Sequence, residues 1–143
     1  MAYERDSMNG WIFLTLVVPL MLVGCSSTDT PEGVAERFVE AYYVRIDQAQ
    51  ALDLTAALAR EKLQRELQLV TDARRGGGVE QARPKIEYTR AQTRPEGQRV
   101  FVIYDLTIKP TQVPPILKRV LITTAQLEDH WKVINFAEVD APR

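Results

Sequence analysis

Side chains able to do chemistry are scarce in this chain, and their types narrow what it does. There is one cysteine, Cys25, and one histidine, His130. A single cysteine excludes an internal disulfide, and one of each excludes a zinc site of the Cys/His kind. The thiol must be buried, reactive or modified. Glu32, Glu36 and Glu40 recur at every fourth residue and share one helix face. Three carboxylates in a row would suit a cation. The same row near a helix N-terminus is more simply a solvated face that complements the helix dipole, and we read it so. Gly76, Gly77 and Gly78 lack the following Lys and Ser/Thr of a phosphate loop and read as a link from helix to strand. No Gly-x-Ser-x-Gly is present, and no two carboxylates have a spacing that forces convergence. Asp105 follows Tyr104 in an alternating stretch, so the two point to opposite faces of a strand. His130 stands beside Asp129 at a turn and is expected to be exposed. No metal and no cofactor is expected.

Charge excludes little but excludes one class. The 143 residues carry 18 Lys+Arg and 19 Asp+Glu; setting aside residues 1–24 removes Arg5, Glu4 and Asp6 and leaves 17 of each. A neutral domain argues against nucleic-acid binding, which needs a basic excess or stripe. Arginines between Arg74 and Arg119 make the second half locally basic. A polyanion or lipid-headgroup contact is conceivable there, and a solubilising sheet face is the default.

The leading segment positions the one thiol. Trp11 to Val23 is an unbroken apolar run of 13 residues ending at Gly24-Cys25. As a helix it spans roughly 20 Å, short of the ~30 Å hydrocarbon core that takes about 20 residues to cross. Pro19 also disfavours a permanent span. The run therefore reads as a signal helix. Leu22-Val23-Gly24-Cys25 resembles the lipobox of bacterial lipoprotein signal peptides, with all four positions matching. The resemblance implies cleavage between Gly24 and Cys25, acylation of the Cys25 thiol, and retention on a membrane by the acyl chains. Residues 1–24 are then the signal peptide, 25–29 a lipidated tether and 30–143 the folded domain. Ser26 after the cysteine favours the outer membrane, with the domain facing the periplasm. The weak feature is the n-region, where Arg5 is offset by Glu4 and Asp6, and a start at Met8 would remove all three and leave only the terminal amine.

After the tether, Thr30-Pro31-Glu32 is a helix start: Thr as N-cap, Pro at N1, an acid in the first turn. Val34, Phe38, Ala41, Tyr42 and Ile46 recur at helical spacing, predicting a helix to about Gln48. Gln50 to Leu54 predicts a turn or short helix. Thr55 is expected to cap a further helix with Ala56, Ala59, Leu63, Leu67 and Val70 inward and Glu61–Arg65 and Lys62–Glu66 pairs outward. From Pro84 the period falls to two. Strands are predicted over Lys85–Arg94, Arg99–Lys109, Leu117–Leu127 and His130–Val139, with turns at Arg94-Pro95-Glu96-Gly97 and Glu128-Asp129. In the last strand Trp131 and Val133 should oppose Ile134 and Phe136. The predicted class is α+β: helices packed on a curved, mainly antiparallel four-stranded meander, preceded by the apolar signal helix.

Pro31 to Tyr43, with its Phe-x-x-x-Tyr stripe, and Asp129-His130-Trp131-Lys132-Val133 resemble the nuclear-transport-factor-2-like superfamily, and in particular small bacterial lipoproteins carrying one such domain. The resemblance implies a cone in which the sheet wraps a helix around a pocket, and often a homodimer formed through the sheet. Some members do acid–base chemistry in the pocket with Asp, His and Tyr. Here that implies Tyr42, Tyr88, Tyr104, Asp105 and His130, of which Tyr42, Tyr88 and Tyr104 are the pocket candidates. A working base needs a water-poor site and a matched pKa, and nothing in the spacing supplies one. The expected role is a membrane-anchored binding or interaction module without catalysis, partnered by the membrane, a second copy or an envelope protein. The alternative is a small pocket enzyme of the isomerase or dehydratase type, or a carrier of hydrophobic ligands.

Overall fold

The computed structural model describes residues 29–75 and 83–139, with side chains from 29 to 72 and from 83 to 139. Residues 1–28, with Gly24 and Cys25, and the three glycines lie outside the described residues. Three α-helices, α1 (Pro31–Val39), α2 (Gln48–Asp53) and α3 (Ala57–Arg75), precede four strands, β1 (Lys85–Glu96), β2 (Arg99–Lys109), β3 (Ile116–Leu127) and β4 (His130–Val139). The strands form one antiparallel sheet in the order β1-β2-β3-β4. This is the α+β meander that the change of period predicts. Among the described residues no helix is long and apolar enough to cross a membrane.

The first helix starts as its sequence dictates. Thr30 Oγ1 accepts the Gly33 N–H at 3.0 Å, and Pro31 occupies the first turn, where its missing N–H costs nothing. Val34, Ala35, Phe38 and Val39 are buried against the sheet. The helix does not continue to Gln48. It widens into a π-helical turn, Glu40–Val44, whose extra residue turns both Tyr42 and Tyr43 against the core. Ile46 then takes a left-handed φ of 54°, and the Asp47 N–H closes on the Ala41 carbonyl at 2.8 Å. That is a Schellman-type stop, widened by the π turn, with isoleucine where glycine is favoured. Asp47 caps α2 by accepting the Gln50 N–H at 3.0 Å.

Thr55 does not cap α3. Its hydroxyl donates back to the Leu52 carbonyl at 2.8 Å, and its backbone forms a parallel bridge to Val133. The Ala56 N–H donates to the Val133 carbonyl at 2.9 Å, and the Val133 N–H to the Leu54 carbonyl at 3.0 Å. The α2–α3 link thus covers the outer edge of β4, and Lys62 adds a bond to the Phe136 carbonyl at 2.9 Å. An uncovered edge would invite pairing with another chain. On α3 Ala59 and Leu63 are buried, while Leu69 is exposed. Glu66 and Lys62 do not form the expected helical pair. Lys62 reaches Asn135 Oδ1 at 2.9 Å, and Glu66 is taken by Tyr42.

The sheet departs from strict alternation at two bulges. Ala91 is the extra residue in β1, and Ile134 in β4. The second bulge overturns the expected facing of β4: Val133 pairs with Thr124 and Phe136 with Ile122, so both face the core. Pro95 lies inside β1, paired with Val100, and the turn is Gly97-Gln98 rather than Arg94-Pro95-Glu96-Gly97. Gly97 has a φ of 57°, the conformation a two-residue hairpin asks of its first residue. The core lies between α1 and the concave face of the sheet. Phe38, Leu63, Val102, Tyr104, Val120, Ile122 and Val133 are wholly buried there.

Candidate functional site

Alternation along β1 and β2 sets Tyr88 and Tyr104 on the concave face under α1. Their rings meet edge to face at 5.9 Å between centroids. Tyr104 is fully buried, and its hydroxyl finds no hydrogen-bond partner among the described residues. Burial pushes the Tyr104 phenol up from its usual range, Glu36 adds to that, and Arg90 opposes it. Tyr88 is raised by burial and then by Glu36 and Glu40.

Tyr42 belongs to a different group. It stacks on Phe38 at 5.4 Å, tilts against Phe136 at 5.1 Å and meets Tyr43 edge-on at 4.7 Å. Its hydroxyl donates to Glu66 Oε2 at 2.7 Å. Burial and that carboxylate push its phenol up, with Glu138 contributing. Glu138 itself pairs with Lys118 at 2.8 Å. All three candidate tyrosines stay protonated near neutrality. Tyr42 donates to Glu66, the Tyr104 hydroxyl has no partner among the described residues, and none of the three is poised as a base.

The other two acid–base candidates, Asp105 and His130, are elsewhere. Asp105 points to the convex face, where Arg119 grips both its oxygens at 2.6 and 2.8 Å. His130 is exposed at the start of β4, its Nδ1 3.2 Å from Asp29 Oδ2. Asp29 Oδ1 accepts the Trp131 N–H at 3.1 Å, so the residue placed last in the tether is joined to β4. Glu32, Glu36 and Glu40 do not gather: among the described residues no group of three or more His, Cys, Asp or Glu could hold a metal ion.

The convex face is a second candidate. Phe101, Ile103, Leu121 and Ala137 are half-buried on it, with Leu117 and Val139 exposed at one end. The Arg94 guanidinium lies 5.4 Å from the Phe101 ring centre and the Asp105–Arg119 pair closes the patch on one side.

No family model matches the chain, and no curated relative matches it. A solved structure does: the putative calcium/calmodulin-dependent protein kinase type II association domain from Thiobacillus denitrificans. It is 12% identical and superposes with a TM-score of 0.53 over 76% of this chain and 93% of its own. The fold is nuclear-transport-factor-2-like. At that identity the likeness carries the fold alone. Within such a cone the structure brings Tyr88 and Tyr104 together, holds Tyr42 with Phe38 and Phe136, and keeps Asp105 outside. Sequence reasoning missed Glu66, Glu138 and Asp29 as partners. They sit 24, 95 and 102 residues from Tyr42, Tyr43 and Trp131 in turn or face them only through tertiary packing, so no local spacing marks them.

Proposed function

We propose that this is a lipid-anchored cell-envelope protein, facing the periplasm, whose nuclear-transport-factor-2-like domain binds protein through the convex face of its sheet and does not transform a substrate in its cone. The observation that carries the reading is the contrast in filling. Phe38, Tyr42, Tyr104 and Phe136 occupy the concave side, whereas Phe101, Ile103 and Leu121 remain partly exposed. A contiguous apolar patch rimmed by charge suits a protein partner. A second copy is the partner of choice, since the structural relative is described as an association domain. The anchor rests on the Leu-Val-Gly-Cys match.

The enzyme alternative draws on one observation, the buried and unpartnered Tyr104 hydroxyl beside Tyr88. Asp105 is on the other face, and the carboxylates whose charge reaches Tyr88 are Glu36 and Glu40.

The test is sedimentation of the mature protein in detergent, with mass spectrometry of its N-terminus. We expect an acylated Cys25 and a dimer that Ile103→Glu with Leu121→Glu converts to monomer. A wild-type monomer overturns the sheet reading, and an unmodified, uncut chain overturns the anchor.

A further inference from the structure

Asp29 lies four residues after Cys25. Four residues of extended chain reach at most about 14 Å. Asp29 is held at the start of β4 by the Trp131 N–H at 3.1 Å and lies 3.2 Å from His130 Nδ1. Wherever Cys25 is anchored, the start of β4 must follow within that reach.

The surface at that point is a shallow cavity of about 350 Å³. Val34 and Leu54 form its apolar side, and Arg37, His130, Trp131 and Lys132 its polar side. Lys132 Nζ donates to the Asp53 carbonyl at 2.7 Å, which fixes the ammonium at the rim. The Asp29 carboxylate also lines the cavity, held by the Trp131 N–H and His130 and attracted by Arg37, whose Nε donates to the Gly33 carbonyl at 3.4 Å. Of the turn acids, Glu128 lines a separate cavity with Gly97, Gln98, Gln126 and Trp131, and Asp129 lines neither.

We propose that this cavity seats the phosphate-bearing headgroups of the membrane that holds the anchor, so that the domain rests on the bilayer through the start of β4. The inference rests on the lipoprotein reading above. The chemistry is complementary. Phosphate oxygens accept from an arginine fork and attract an ammonium, and an indole with one polar edge sits at headgroup depth. The short tether supplies the affinity, because a tethered contact forms at high effective concentration and need not be strong alone.

The mature chain carries its own probe. The two tryptophans are Trp11 and Trp131, and cleavage before Cys25 leaves Trp131 alone. The full acylated protein is reconstituted into vesicles of phosphatidylethanolamine and phosphatidylglycerol, and Trp131 fluorescence is followed with a headgroup-nitroxide lipid as quencher. A parallel set uses vesicles of digalactosyl diacylglycerol, which lack phosphate. We expect quenching roughly twofold or more stronger on the phospholipid, falling toward the glycolipid level at about 1 M salt while the protein stays bound. Arg37→Gln with Lys132→Gln should show the same loss with an unchanged thermal melt. The salt titration needs no variant, so a misfolded double mutant does not blunt the test. Equal quenching on both vesicles, or none on either with the acylated chain still co-floating, overturns the headgroup seat. A chain that carries no acyl group and does not co-float overturns the anchor, and the seat with it.

Discussion

On the concave face Val102, Tyr104, Val120 and Ile122 are wholly buried under α1; one residue along on the same strands, Phe101, Ile103 and Leu121 are only half-covered on the convex face. The side chains are of one kind and their strands are shared. What differs is whether this chain supplies a second layer. A strand apolar on both sides reads as the middle of a sandwich. Here α1 makes one outer layer, and the other side has charged pairs at its margin and aromatic and aliphatic surface at its centre. The concave face is therefore where stability resides, and the convex face is where the proposed partner would gain most.

That contrast breaks most sharply at Phe38, which stacks on Tyr42 and tilts against Phe136 at 5.0 Å. Phe38→Ala should lower the unfolding free energy by about 3–5 kcal/mol, read from urea denaturation. A loss below about 1 kcal/mol would mean that the concave packing does not hold the fold. Tyr104→Phe is next and has the opposite sign. Deleting a buried, unpartnered hydroxyl should stabilise the protein by about 1–2 kcal/mol in the same assay. A destabilisation would show that the hydroxyl is satisfied in solution and would revive the pocket as a binding site. On the convex face Leu121→Glu should change the unfolding free energy of the monomer by about 1 kcal/mol or less while weakening self-association, measured by sedimentation at graded concentration. Comparable damage to both would merge the two faces into one core.

The smallest effect is in the pH dependence. Hydrogen bonds from Lys109 and Lys85 hold the Glu87 carboxyl at about 2, and Arg119 lowers Asp105. Folded-state values below the unfolded ones mean that these pairs stabilise above the ordinary carboxylate range. Their contribution should fade as pH falls through the folded values, for Glu87 between its ordinary 4.5 and about 2. The Glu87 contacts are solvent-exposed and the Asp105–Arg119 pair is half-buried, so the slope should be shallow and its Glu87 part salt-sensitive. Glu87→Gln with Asp105→Asn should flatten the acid limb of a thermal-melt series, and an unaltered limb would refute the assignment.

Much of this division was legible in the residues. Thr30-Pro31 starts a helix by capping chemistry alone, and the unbroken alternation from Val100 to Leu106 names both faces of β2. Strand β4 has the bounds its pattern predicts, His130–Val139. Its inward set was not legible, because the bulge at Ile134 shifts the period by one residue and a bulge is settled by pairing with β3. The π turn at Glu40–Val44 escaped for a related reason: the apolar stripe tolerates one extra residue, so the helix seemed to run on. Tyr88 could not be put on the face of Tyr104 by counting, because the bulge at Ala91 shifts the β1 register by one residue and brings the two together. Tyr42 could not be assigned to Glu66, since nothing in either helix fixes how α1 and α3 cross. Alternation put Asp105 off the face of Tyr104, and it lies there; that Glu36 and Glu40 on the first helix bring their charge to Tyr88 was marked by no spacing, since it depends on how the helix lies over the sheet.

The bridge between Thr55 and Val133 also sets an order of events. The chain is made from its N-terminus, so the residues of α1, α2 and α3 are in place before any of the sheet is made. The face of α1 that carries Val34, Phe38 and Val39 has nothing to close against until the strands arrive, and the α2–α3 link finds its partner only in the last strand. In a nascent chain of this design the α2–α3 link has no sheet partner until the last strand is made, and a truncation that removes β4 should free that link and α3 while α1 keeps its contacts with β2 and β3.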